Sequence, residues 1–204
     1  MKQATGNNSL KDTKIVSVRI DSGGHYFSVD TLPKAAFENS CNVEFSIVTH
    51  KTVLVPAEIF EPEAAASYLE IAGLGCAVGE RPVYTVRGDK AVVMAIAESC
   101  ADTLIDRFDS HIAFCSPLLE EFAGKEKALH IRTIGDVSYF KLYDGENLLF
   151  AEALMTDSRD ETLYYTALLD RKFGLAAYLI YIYGDRQKQT AKLLKRYFKN
   201  IKCE

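Results

Sequence analysis

Apolar and polar positions alternate in short runs along most of this chain, and the breaks between the runs fall on Gly, Asp and Pro. KIVSVRI (14–20), the turn Asp21-Ser22-Gly23-Gly24 and HYFSV (25–29) read as a hairpin, since both arms are β-branched or aromatic and the turn supplies glycines able to take positive φ. A third strand over 43–50 and a fourth over 52–55 follow, then a helix opened by Pro62 and stopped at Gly73. PVYTV and AVVMAI flank Arg87-Gly88-Asp89-Lys90 as a second hairpin. The pattern then predicts a helix over 98–108, a strand HIAFC (111–115) and a helix starting at Ser116-Pro117, whose early Glu120-Glu121 suit its dipole.

A second stretch has the same order. KALHIRTI turns at Gly135-Asp136, continues as VSYFKLY, turns at Asp144-Gly145 and returns as NLLFAEAL. An Asp-Gly pair between alternating strands is a strong hairpin signal. Ser158 and Glu161 make a capping-box pattern, and the helix they open runs to Gly174. AAYLIYIY is an apolar run of strand length, closed by Gly184-Asp185, and reads as a buried parallel strand. A last helix over 186–202 follows. The order β-β-β-α-β-α thus appears twice, with a hairpin inserted in the first copy and the second copy shortened. Mixed α/β sheets covered by helices are expected, in two packed subdomains, 1–124 and 125–204, parted near Gly124–Lys127.

Composition narrows the class. With 204 residues, 48% hydrophobic and 25% charged, the chain is an ordinary globular one that needs no staples. Its five cysteines (Cys41, Cys76, Cys100, Cys115, Cys203) are scattered with no CxxC, so reduced thiols in a cytoplasmic protein are expected, and no metal site. The histidines His25, His50, His111 and His130 show no ligand spacing and are read as half-buried sheet positions. No apolar stretch approaches the roughly 20 residues of a membrane helix, and no signal peptide opens the chain, so a soluble cytoplasmic protein is expected. The GxGxxxG at Gly73–Gly79 follows a helix rather than a strand, and reads as a helix stop rather than a dinucleotide loop.

The duplicated order resembles the actin-like ATPase fold, in which two ribonuclease-H-like subdomains flank a nucleotide cleft. TVLVPAEIFEPEAAASYL, HIAFCSPLLEEF, IRTIGDVSYFKLYDGENLLFAEAL and the ending LIYIYGD…LLKRYFKNIK further resemble an uncharacterised bacterial family with that fold, the domain of unknown function numbered three-eight-two-two. The resemblance implies a candidate nucleotide cleft at Asp21, Ser22, Gly23, Gly24, Gly135, Asp136, Gly184 and Asp185. Hairpin turns of such folds hold phosphates through backbone amides, an aspartate in each organises metal or water, and a later glycine pair lies against adenosine. Asp21 and Gly23 fit the first turn, but Gly24 stands where a hydroxyl residue is usual. Thr133 takes the aspartate position of the second turn, and Asp185 replaces the second glycine, where a carboxylate would repel phosphate. Plain turn chemistry is the preferred account of these glycines.

From 186 to 202 there are seven basic residues and no acidic ones, although the chain as a whole carries a net charge of −4. On a helical wheel Ala191, Leu193, Leu194, Tyr197, Phe198 and Ile201 share one arc, while Lys188, Lys192, Lys195, Lys199 and Lys202 share another with Arg196 at its edge. That basic face meets water, or else an acidic protein, nucleic acid or an anionic surface. The functional expectation is a non-catalytic scaffold or adaptor with a protein partner, no catalytic residues and no cofactor. The alternatives are an ATP-binding or ATP-hydrolysing protein using Mg-ATP, and a nucleic-acid-associated protein using the basic C-terminal face, which the negative overall charge disfavours.

Overall fold

The structure, a computed structural model, describes residues 14–37, 41–109, 112–121 and 126–203. Three sheets organise it. In the first, β1 (Lys14–Ile20), β2 (Cys41–Ile47) and β6 (Ile112–Cys115) lie in that order and are all parallel, with Val16 beside Val43 and Ile20 beside Ile47.

The hairpin expected after β1 is absent. Ser22–Gly24 form a 3₁₀ turn in which three consecutive residues have positive φ (51°, 58° and 83°), so the chain coils instead of reversing in two residues. HYFSV is not a strand: Phe27 and Val29 are partly buried against the core that holds Leu32 and Ala36. The apolar residues of 25–37 therefore serve the crossover that a parallel β1–β2 pair requires.

The second sheet, ordered β3-β5-β4, is antiparallel: β3 (Thr52–Pro56), β4 (Glu80–Arg87) and β5 (Lys90–Ala97), with the predicted hairpin at Gly88-Asp89. Residues 91–97 are buried without a break, because β5 is covered on both faces. Val92, Met94 and Ile96 join the core under α2 (Glu98–Phe108), and Ala91, Val93 and Ala95 join Leu69 of α1 (Ala65–Ile71). Gly73 ends α1 at φ 72°, its amide on Glu70 O and that of Leu74 on Leu69 O, which is a helix stop as expected.

The third sheet runs β11-β10-β7-β8-β9. β7 (Ala128–Ile134), β8 (Val137–Asp144) and β9 (Asn147–Met155) form the predicted antiparallel run, and β10 (Leu179–Gly184) lies parallel to β7. α3 (Arg159–Phe173) opens on the Ser158/Glu161 capping box and ends at Gly174 with φ 68°. With α4 (Gln187–Leu194) it supplies the core that contains Leu129, Ile131, Phe140, Leu142 and Ile182. Val48 and Leu118 pack on the opposite face, against Val137 and Tyr139, and join the third sheet to the rest.

Two expected helices shorten. Ser116-Pro117 opens only a buried 3₁₀ turn, so Glu120 is not on a helix and pairs with Arg132 instead. The last helix stops at Leu194, and Ile201–Cys203 become β11, parallel to β10, because the open edge of β10 offers a ladder that the helix cannot use. Ile201 and Lys202 thus leave the wheel, and Tyr197 is 65% exposed rather than packed. The mixed α/β class holds. The second copy is the shorter in residues, but it has the fuller sheet, and it is the first that lacks the expected strand. The boundary at 124/125 falls outside the described residues.

Candidate functional site

The turn after β1, the loop after β2 and the β7–β8 turn converge on one cavity of about 320 Å³, lined by Asp21, Ser22, Thr49, Lys51, Gly135 and Asp136 among others. The two turns singled out in the sequence are therefore neighbours in space. Four of their amides, however, are engaged. Gly23 N donates to Val48 O (2.9 Å), Gly24 N to Asp21 O (3.0 Å) and His25 N to Ser22 O (3.2 Å). The Asp21 carboxylate is ion-paired with Arg19 at 3.0 Å.

At the second turn, Gly135 N donates to the Asp185 carboxylate at 2.8 Å. Arg186, in the left-handed region at φ 58°, donates to Gly135 O (2.8 Å), Thr156 O (2.7 Å) and Asp157 O (2.7 Å). An acidic side chain thus sits where an anion would meet that amide, and a guanidinium locks the carbonyl side of the same turn.

Gly184 has a cause within the backbone itself. A Cβ there would lie 2.1 Å from Thr133 O, and the next amide, Asp185 N, donates to the same carbonyl at 2.8 Å. The glycine is required by the backbone passing over β7. Gly24 has a comparable cause, since a Cβ would meet Cys100 Sγ at 2.6 Å.

Sequence reasoning missed the charged wall of the cavity. Lys51 Nζ lies 2.5 Å from Glu80 Oε2, His25 Nε2 2.9 Å from Oε1, and Ala77 N donates to Oε2 at 2.7 Å. Burial alone would lift the Glu80 carboxyl, but the hydrogen bonds from Lys51, Ala77 and His25 bring it down to about 2. His50 beside them is lowered by its burial and by Lys51. No local signal marks this cluster, because Glu80 meets Lys51 only through the pairing of three strands. Tyr139 holds the lining residue Thr49: its buried hydroxyl accepts from Thr49 N at 3.2 Å, and burial raises the phenol well above its usual range.

His130 stacks against both Tyr181 and Tyr183, at 5.0 and 5.9 Å, and burial lowers its ring to about 4. His111 lies outside the described residues. Among the described residues no group of three or more His, Cys, Asp or Glu could hold a metal ion, and Cys76, Cys100, Cys115 and Cys203 are free thiols. Burial pushes the Cys100 and Cys115 thiols up to about 12. No helix among them is long and apolar enough to cross a membrane.

Lys188, Lys192, Lys195, Arg196 and Lys199 are all exposed, but only the first two lie on α4. They do not form one helical stripe, and none reaches the cavity. Lys202, on β11, instead donates to Tyr181 Oη at 3.1 Å and lies 5.1 Å above that ring.

Comparison with known proteins bears on this geometry. A search of curated proteins finds no match. Among solved structures, a Bacteroides thetaiotaomicron protein with actin-like ATPase fold and unknown function superposes with a TM-score of 0.69 at 15% identity, covering 80% of this chain and 68% of that one. A PilM–PilN type IV pilus biogenesis complex gives 0.46 at 12% identity over 79% and 68%. The cytoplasmic domain of EpsL, an inner membrane component of the type II secretion system of Vibrio cholerae, gives 0.39 at 12% over 82% and 80%. The first of these carries the fold. Residues 35–201 match the model of the family described as protein of unknown function DUF3822. With that match over most of its length, the chain belongs to the DUF3822 family, on an actin-like ATPase fold.

Proposed function

We propose that this protein acts by binding a partner, as a cytoplasmic scaffold or adaptor of two lobes (1–124 and 125–204), and does not turn over nucleotide. The observation that carries the reading is the Asp185 carboxylate on the Gly135 amide. Phosphate-holding turns work because several N–H groups converge with nothing else to bind. In this cleft the amides of Gly23, Gly24 and His25 serve backbone carbonyls, and that of Gly135 serves an internal anion. An incoming polyphosphate would displace a carboxylate and meet Asp136 as well, while Lys51 is already neutralised by Glu80. Phosphoryl transfer depends on positioning and charge stabilisation, and such a cleft supplies little of either.

Calorimetric titration of the full chain with Mg-ATP tests the reading. No saturable heat up to millimolar nucleotide is expected. Saturable binding that Asp21→Asn abolishes would overturn the reading in favour of a nucleotide-dependent protein.

A further inference from the structure

β1 is an outer strand of the first sheet, and among the described elements β2 alone runs along it. The third sheet shows what this fold elsewhere places at such an edge. There β7, β10 and β11 run parallel, as β1, β2 and β6 do, and β8 lies antiparallel on the other side of β7. The stretch 25–29, the expected counterpart of β8, is not a strand, so β1 keeps an open side. In a parallel pair every second residue turns both its N–H and its C=O to the neighbouring strand. Val48 N donates to Ile20 O at 2.8 Å with Ile20 beside Ile47, so Lys14, Val16, Val18 and Ile20 turn to β2. Ile15, Ser17 and Arg19 turn their main-chain groups outward, and among the described residues these groups have no hydrogen-bond partner.

The side chains of β1 suit a strand on that side. Val16 and Val18 are half-buried at the border of the core that holds Val43 and Phe45, and Ile15 is 64% exposed on the other face. Natural sheets blunt open edges with charge, proline or a cover. β1 has no proline, and of its two cations Arg19 is paired with Asp21 at 3.0 Å. The strand is also complementary to itself. When two copies of Lys14–Ile20 run antiparallel with Ser17 opposite Ser17, all seven residues pair. The main chains that meet are then those of Ile15, Ser17 and Arg19, the residues whose groups turn outward. Val16 stands opposite Val18 and carries the apolar core face across the seam, while Ile15 lies against the aliphatic stem of Arg19. Lys14 stands opposite Ile20, so no like charges oppose each other. A shift of two residues either way leaves an end of each strand unpaired.

We propose that the open edge of β1 joins two copies of this protein, as an antiparallel pair with Ser17 on a two-fold axis, so that the two first sheets become one. Such an interface uses the same patch on both chains, the commonest way in which identical subunits associate. It goes beyond the scaffold reading and does not rest on it, since the amides of Gly23, Gly24 and Gly135 take no part.

Sedimentation equilibrium of the full chain up to millimolar protein tests the pairing. A reversible monomer–dimer equilibrium is expected, and a weak one, because a single strand pair buries less than a standard interface. Ser17→Pro removes an outward N–H and leaves the β2 ladder intact. It should weaken dimerisation at least about tenfold while keeping a cooperative urea transition. The register is read by cross-linking in a Cys203→Ser background, which removes an exposed native thiol. Across the two-fold axis the Cα atoms at 17 stand about 5.5 Å apart, within disulfide range. Those at 15 stand four residues apart along the strands, about 14 Å. Ser17→Cys should therefore form disulfide dimers under oxidised glutathione at least about tenfold faster than Ile15→Cys. This arm decides alone if Ser17→Pro does not fold. A monomer throughout would give the edge to another protein or another segment of the chain, and would overturn the proposal. A dimer that Ser17→Pro leaves as tight, or equal cross-linking at 15 and 17, would also overturn it.

Discussion

Asp185 and Gly135 are 50 residues apart, yet the carboxylate of one accepts the amide of the other at 2.8 Å. In an actin-like fold this contact joins the turn that would hold a phosphate to the turn that would lie against adenosine. The Gly135 amide is thereby already served by a carboxylate of the protein itself. Replacing Asp185 with alanine should cost about 1 kcal/mol, as for a typical hydrogen bond, whereas asparagine keeps an acceptor and should cost less. Urea denaturation of both variants measures the difference.

The glycines of the cleft separate by the same measurement. Gly184→Ala puts a Cβ 2.1 Å from Thr133 O at φ 78°, and is expected to cost at least about 3 kcal/mol. Gly135→Ala meets nothing within 4 Å, so only its positive φ is strained, at about 1 kcal/mol. Both losses should appear in the protein without any ligand.

Tyr139 ties β8 to the loop that lines the cavity, through Thr49 N at 3.2 Å. Tyr139→Phe leaves a buried amide without its acceptor, which should cost about 1–3 kcal/mol in the same urea experiment.

Acid should destabilise the protein in two separate windows. His130 is lowered to about 4 when folded, against about 6.5 unfolded, so the unfolded state takes up its proton first and stability falls as the pH drops from about 6.5 to 4. Glu80 is held at about 2, against about 4.3 unfolded, so its contribution is present above that value and lost between about 4.3 and 2. Stability measured against pH should show a shallower upper slope in His130→Phe, with His50 keeping a part of it, and a shallower lower one in Glu80→Gln.

How far the fold could be read follows from where each signal lies. The β7–β8–β9 run was legible because its turns and its alternation are local, and α3 because Ser158 and Glu161 sit three residues apart. The first hairpin was misread for the opposite reason. Ser22, Gly23 and Gly24 announce positive φ, but not that three such residues follow in succession, and the true neighbour of Ile20 is Ile47. The C-terminal amphipathic pattern ran past Leu194, because nothing near Ile201 says that an open strand edge waits beside it. Asp185 could be read as hostile to phosphate, whereas its bond to Gly135, like the Lys51–Glu80 pair, exists only after folding.

The central claim is that the Gly23, Gly24 and Gly135 amides of the cleft are already bonded within the protein. The most direct measurement is a titration of ¹⁵N-labelled protein with Mg-ATP, following the amide resonances of Gly23, Gly24 and Gly135. They should stay in place to millimolar nucleotide; saturating shifts at these three amides would contradict the claim.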